Sequence, residues 1–468
     1  MEPLVLALVA SLATAQEAEV VVGPTPGVPT LSLASAIALA LEKNFSLRDS
    51  TDAVASARWQ ETAARAQFYP SVSPIYLRSD ERWVFGFDVS QRLPWSGGTL
   101  VATGRHSSEP TVEAPFPRST DLRLLLSQPL LRGFGPNASF YDLTNAKRAR
   151  IGQERSLALA RQQLAVQVAA VFYSVIAQRQ LIEVAGQSYE RTEGLRRASE
   201  ARLQVGMASK LDVYRAELQS AQARESMVRS QAGLQAALEL FRGILALPLG
   251  DPVEPEAAAL PEDLEPPPEA VEALVKRGLE NRLDLQEARD QVGDARRGAS
   301  LAKQNLLPQL DLNLGVTRLG FGGSFSDAWR AGDSRVEVFL SATYPLQQSA
   351  ERANRAVANI EVGSRERAVE RQALEIEEDV RSAARELDRI RKSVELQRQA
   401  VEVTVQQRRL AVLRYERGLA SNFDVVDAES SLVLARSALV GLLASHAVAR
   451  LELKRAMGTL DVDTESGR

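Results

Sequence analysis

The chain contains no cysteine. That excludes thiolate nucleophiles, thiolate metal sites, disulfides and lipid attachment at an N-terminal cysteine. Histidine is nearly absent too: His106 and His446 are the only two, far apart and in different kinds of segment. A histidine-based metal centre or catalytic triad is not expected, and no cofactor is. There is no Ser/His/Asp set, glycine-rich phosphate loop or HExxH motif, so the chain does not read as an enzyme. Aromatic residues make up only 5%, which argues against an ordinary enzyme-like globule. The formal charge is −4 with both signs interspersed, and no basic tract invites nucleic acid.

The N-terminal residues MEPLVLALVASLATA form a short apolar run ending in small residues. This pattern predicts a secretory signal over 1–15. No run of 18 or more apolar residues follows, so no transmembrane helix is expected.

Ala, Leu, Gln, Arg and Glu dominate the long stretches that remain, a mix that favours extended helices. From about Ser349 to Tyr415 there is no proline, and Gly363 is the only glycine. Ala373, Val380, Leu387, Val394 and Val401 recur every seven residues, with Ile376, Ala383 and Ile390 at the partner position. Leu157, Leu164, Val168, Val171, Val175 and Ile182 mark a similar seam upstream. Seven-residue spacing puts these side chains on one stripe that a second helix must cover. At about 1.5 Å per residue, some 65 residues make a helix of about 100 Å.

Other segments have period two. Leu310, Leu312, Leu314 and Val316 alternate with Gln309, Asp311, Asn313 and Gly315. Val336, Val338, Leu340, Ala342 and Tyr344 form a second series, Phe85, Phe87 and Val89 a third, and Leu122, Leu124 and Leu126 a fourth. Alternation predicts strands with one apolar and one polar face. Such strands fit either a small sheet packed on helices or a membrane barrel with lipid outside and water inside. Strand length, the signal and Trp83, Trp329, Phe321, Phe325 and Tyr344 near strand ends favour the barrel. Four clear strands cannot close one alone, and lipid permits no open edge. Several chains must share the barrel; three would give twelve strands. Stretches at 71–77 and 99–105 leave the count in the first half open.

The chain also repeats itself. VGMASKLDVYRAE at 205–217 aligns without a gap on RGLASNFDVVDAE at 417–429, and residues 41–71 align on 279–309. The offsets of the two matches differ by 26 residues, so the first half is longer between Pro70 and Gly206 than the second between Pro308 and Gly418. Two collinear matches argue for duplication. The expected organisation is a first repeat at 16–247, a proline-rich connector at 248–269, a second repeat at 270–460 and a tail at 461–468. Gly206 and Gly418 are placed to end helices in the left-handed region. Asp212 and Asp424 follow at the next helix start, where a carboxylate caps free N–H groups. Capping does not account for Asp427, which shares a face with Asp424.

With these residues in view, the chain resembles the TolC family of outer-membrane efflux proteins over essentially its whole mature length. The resemblance rests on the paired helices ending at Pro70 and Pro308, SQPLLRGFG at 127–135, YPLQQSAER at 344–352 and the two G-x-A-S-x-x-D-V turns. It implies a mainly α fold with a membrane β-barrel: a homotrimer in outer-membrane lipid, each chain giving four strands and long antiparallel coiled-coil helices to a periplasmic tunnel. It implies a periplasmic adaptor (membrane fusion) protein and an inner-membrane transporter as partners in efflux or type I secretion. It implies a pore aperture at Asp424 and Asp427, gating contacts at Asp212 and Tyr415, and periplasmic tip turns at Gly206 and Gly418. The family's basic gating residue is replaced by Ala420, with Arg414 and Arg417 nearby. The competing reading is a secreted coiled-coil protein without a pore, which explains the heptads but not the two-faced strands.

Overall fold

The structure, a computed structural model, describes residues 27–80, 82–108, 118–256, 259–264 and 269–465. The predicted signal at 1–15 lies outside the described residues, as do parts of the connector and of the tail. The elements in chain order are β1 (Thr30–Leu31), α1 (Leu33–Lys43), α2 (Phe45–Ala66), β2 (Ser71–Arg78), β3 (Trp83–Arg92), β4 (Thr99–Ser108) and β5 (Arg118–Pro129). Next come α3 (Pro136–Ser139), α4 (Tyr141–Gln204), α5 (Lys210–Ile244), β6 (Glu254–Pro255), α6 (Val271–Asn281), α7 (Leu283–Gln304) and β7 (Gln309–Gly322). The chain continues with α8 (Phe325–Ala331), β8 (Asp333–Thr343), α9 (Ser349–Glu416), α10 (Asn422–Ala456) and α11 (Val462–Glu465). The described residues form two compact units, one drawn from within 1–49, 158–282 and 374–468, the other from within 50–157 and 283–373.

In the first unit the heptad seam is the core. Ile376, Val380, Leu387, Ile390 and Val394 of α9 are buried, as are Leu164, Val168 and Val175 of α4. Ala384 is buried on α9 beside its expected neighbour Ala383. Outside this seam α9 carries ion pairs at helical spacing, such as Arg381 with Glu377 and Arg391 with Asp388 and Glu395. Gly278 of α6 lies against Val380 and Ile376, whose methyls stand 3.0 and 3.3 Å from where a Cβ would sit. In the connector, Glu254 and Pro255 pair in parallel with Thr30 and Leu31. Arg179, buried on α4, holds this strand by donating to Glu254 Oε2 at 2.6 Å and to the Pro255 carbonyl at 2.9 Å. By composition α4 and α10 each contain an 18-residue stretch apolar enough to cross a membrane. Over half of the α4 stretch is covered by protein, which suits a packed helix.

The second unit is built on one antiparallel sheet of six strands in the order β2-β3-β4-β5-β7-β8. Four clear strands were expected. The open stretches at 71–77 and 99–105 are both strands, β2 and β4, whose serines, threonines and glycines weaken the alternation. The register sorts the side chains into two faces. In mid-sheet Leu124 lies between Ala102 and Val316, and Leu126 between Leu100 and Leu314. Val336, Val338 and Leu340 continue this face on β8, opposite Val316, Leu314 and Leu312. Phe85, Phe87 and Val89 of β3 pair with Tyr76, Pro74 and Val72 on one side and with His106, Gly104 and Ala102 on the other, so they carry it to β2. The other face holds Ser73, Asp88, Thr103, Arg123, Thr317 and Arg335 in one row across all six strands. Arg105 pairs there with Asp88 at 3.6 Å.

Aromatic groups gather at both ends of the apolar face. At one end Trp83 meets His106, His106 meets Phe325 and Phe325 stacks on Trp329, with the Arg318 guanidinium over the Trp329 ring. The short helix α8 lies close to the sheet here because β7 offers glycine. A Cβ on Gly320 would fall 1.8 Å from the Ala328 carbonyl oxygen. At the other end Trp95 and Phe68 both contact Phe140. Two aromatic belts flanking an apolar band are the pattern of a bilayer-spanning sheet.

Candidate functional site

Each glycine turn is a helix end built from backbone bonds. Gly206 has φ +79° and Gly418 φ +73°. The Met207 N–H donates to the Arg202 carbonyl at 2.8 Å, and the Leu419 N–H to the Arg414 carbonyl at the same distance. These bonds satisfy the last carbonyls of α4 and α9. No atom lies within 4 Å of a Cβ built on either glycine, so backbone conformation alone demands the residue.

The next helices begin with reciprocal caps. The Asp212 carboxylate accepts from the Ser209 hydroxyl at 2.7 Å and its N–H at 3.1 Å, while the Asp212 N–H donates to Ser209 Oγ. The Asp424 carboxylate likewise accepts from the Ser421 N–H at 2.7 Å and hydroxyl at 2.8 Å. The Ser421 hydroxyl, then its N–H, hold the Asp424 carboxyl below the usual carboxylate range, and Arg414 adds to this. Asp424 is thus charged and fixed at the start of α10. Asp427, one turn on, is exposed with no hydrogen bond or ion pair among the described residues, so its carboxylate points freely into solvent.

Among the described residues no hydrogen bond joins Tyr415 to the Asp212 side chain, whose Oδ2 binds Ser209. Tyr415 is instead held by α4. Its hydroxyl lies 3.3 Å from Ser199 Oγ, its carbonyl accepts from Arg202 at 3.0 Å, and the Arg202 guanidinium sits 4.1 Å above its ring. Asn422 links the two turns. It is buried, and its Nδ2 donates to the Asp212 carbonyl at 2.7 Å and to Ser199 Oγ at 3.3 Å. Tyr415, Ser199, Asn422 and the Asp212 backbone form one chain of contacts. Sequence reasoning missed Ser199, Arg202 and Asn422. Only Asn422 left a signal: an amide at the first helical position, where the upstream copy has Lys210. Arg202 supplies a cation that neither Arg414 nor Arg417 brings to Tyr415.

Beyond the turns, polar ties join α4, α5 and α10. Arg191 of α4 reaches Glu429 of α10 at 2.9 Å, and Gln219 of α5 donates to Ser430 of α10. Glu193 is bound by Arg196 at 2.7 Å and accepts from Ser220 of α5 at 2.9 Å. Arg196, then Ser220, lower its pKa to about 2. Around the turns themselves, Val205, Met207 and Leu211 are exposed on the first, and Leu419 and Phe423 on the second. No group of His, Asp and Glu suited to a metal occurs among the described residues.

These features have known counterparts. The model of the family described as "Outer membrane efflux protein" matches residues 274–459. "Outer membrane protein TolC" of Salmonella enteritidis is 25% identical over 382 residues, 78% of this chain and 72% of that protein. The crystal structure of the outer membrane protein VceC of Vibrio cholerae superposes with a TM-score of 0.70 at 16% identity, covering 91% of this chain and 96% of VceC. The CmeC outer membrane channel of Campylobacter jejuni gives 0.70 at 14% identity, over 93% of this chain and 89% of CmeC. Residues 274–459 thus match the outer membrane efflux protein family, and the chain as a whole has the fold of the solved TolC-type outer-membrane channels.

Proposed function

We propose that three copies assemble into a continuous conduit, with the sheets in the outer membrane and the paired helix turns as its periplasmic entrance. The observation that carries this reading is the two-faced sheet, apolar between two aromatic belts on one side and polar on the other. Its outer strands have unpaired edges, which hydrocarbon does not permit in a lone chain. In this reading the sequence halves 16–247 and 270–460 are tandem copies joined by the connector 248–269. Substrate passes without any bond made or broken, delivered by an inner-membrane transporter through a periplasmic adaptor. The exposed Met207, Leu211, Leu419 and Phe423 suit the turns to meet the adaptor, because isolated apolar side chains on tight turns form a small docking surface.

Asp424 and Asp427 form the aperture. Three chains would bring six carboxylates around one axis, attracting cations and multivalent blockers. The cap bonds that keep Asp424 ionised support this role. Asn422 and Arg202 tie the turns in the closed arrangement.

The testing experiment is reconstitution. Purified protein should insert into planar bilayers as discrete conducting units and should co-purify with a cognate adaptor. A monodisperse, bilayer-inserted protein that stays without conductance even when Asn422→Ala releases the turns overturns the conduit.

A further inference from the structure

We propose that the barrel contains eighteen strands rather than twelve, because each protomer contributes all six strands of its sheet. This deepens the trimeric channel reading and rests on it. The occupant of each open sheet edge is a second copy of this chain: β8 of one protomer pairs with β2 of the next.

Four observations lead there. First, β2 and β3 belong to the same hydrogen-bonded sheet as the other strands, in unbroken antiparallel register from Ser71↔Ser90 to Arg78↔Trp83. Second, they carry the same two faces. Val72, Pro74, Tyr76, Phe85, Phe87 and Val89 continue the apolar face, and Ser71, Ser73, Asp88 and Ser90 the polar one, which Ile75, Leu77 and Val84 interrupt towards one end. A hairpin meant for water would gain nothing from that match. Third, the turn between β3 and β4 is anchored under the sheet. Gln128 Nε2 donates to the Ser96 carbonyl at 3.1 Å and the Gly135 N–H donates to it at 3.3 Å. Gly97, at φ +76°, sits so close to the Gly133 carbonyl that a Cβ would fall 2.4 Å from its oxygen. Fourth, the hairpin accounts for the asymmetry between the sequence halves. The first half is 26 residues longer between its proline and its glycine turn, and residues 71–98 contain this one hairpin and its following turn.

The edges complete the argument. All but one residue of β2 are exposed, and all but one of β8, although both strands lie at the level of the apolar band. With six alternating strands, β8 runs opposite to β2. Closure between neighbours is therefore antiparallel, like every other pair in the sheet. Val336, Val338 and Leu340 of β8 would then meet Val72 and Tyr76 of β2 on the lipid side. Pro74 removes one donor from the seam. A proline in a ladder is accommodated when its nitrogen faces away from the existing partner, so Val72 and Tyr76 present their N–H groups to the newcomer. With strands about 4.8 Å apart and tilted by about 40°, eighteen strands give a backbone diameter of about 36 Å, against about 24 Å for twelve. The lumen admits bulkier cargo at the membrane than a twelve-stranded barrel would.

The absence of cysteine makes the test clean. Ser73→Cys on β2 is combined in turn with Arg335→Cys, Glu337→Cys and Ser341→Cys on β8, all on the polar face. The full-length protein in outer membranes is treated with a short bis-maleimide. Thr103→Cys on β4 with the same β8 partners serves as the rival pairing. The proposal expects covalent dimers and trimers from a β2–β8 pair and none from the β4 series, with eighteen strands visible by electron microscopy of the purified trimer. Cross-linking from β4 with none from β2, or twelve strands in the image, overturns it while leaving the trimeric channel intact. A protein that light scattering shows to be monomeric overturns the channel reading and this inference together.

Discussion

Leu124→Arg addresses the sheet directly. Leu124 is the seventh of twelve residues in β5, midway along the strand, and lies between Ala102 and Val316 on the apolar face. Both neighbours are too small to shelter a guanidinium. An arginine on the lipid face near the midplane costs about 2–4 kcal/mol, and three protomers bear it at once, about 6–12 kcal/mol per barrel. The control is Asn313→Arg, one residue off the apolar face. Asn313 pairs with Ser127 and Phe339 in register and donates to Ser341 Oγ at 3.2 Å. Losing that bond costs about 1 kcal/mol, and the new charge stays in water. The assay is the yield of heat-resistant trimer in outer-membrane fractions. Leu124→Arg should reduce it at least tenfold, since 1.4 kcal/mol is already a factor of ten; Asn313→Arg should reduce it several-fold at most. Equal yields would refute the assignment of the two faces.

Gly418→Val forces a β-branched residue to φ +73° and should cost about 1–2 kcal/mol, read as faster proteolysis at 417–421 and reduced export with trimer insertion unchanged. Asn422→Ala leaves the Asp212 carbonyl without its side-chain donor and should destabilise the joined turns by about 1–3 kcal/mol, read as more frequent channel opening. Replacing Asp424 and Asp427 together by Asn should weaken cation selectivity and multivalent-ion block without changing helix content; unchanged reversal potential would reduce both residues to helix-start groups. Glu193 has a folded pKa near 2 against an ordinary value of 4.5. A depressed carboxyl contributes stability that is fully present above its unfolded pKa and lost as pH falls through the folded one. Proteolytic protection of the α4–α5 pair should therefore weaken from about pH 4.5 towards pH 2, and Glu193→Gln should flatten that dependence.

The long helices were legible because their signal is redundant. Five positions at one heptad site of α9 agree, and three of them, Val380, Leu387 and Val394, are buried together. The two glycine turns were legible because left-handed geometry leaves few alternatives to glycine, and the chain states the motif twice. The extra hairpin was half hidden. Phe85, Phe87 and Val89 gave β3 its period, but β2, at the edge of the protomer's sheet, mixes Pro74 with Ile75, Tyr76 and Leu77 on both faces. The contacts of Tyr415 were not legible at all. They depend on which α4 residues face the turn, Ser199 and Arg202, more than two hundred positions upstream. Helical periodicity says which residues share a face, not which face meets a given neighbour.

The central claim is that this chain encloses a water-filled path through the outer membrane. Single-channel recording of the purified protein in planar bilayers tests it most directly. The account predicts discrete, reproducible conductance steps with cation preference, abolished in preparations where Leu124→Arg prevents trimer formation. Stable insertion of intact trimers without any conductance, even when Asn422→Ala removes the contacts to Ser199 and the Asp212 carbonyl, would contradict it.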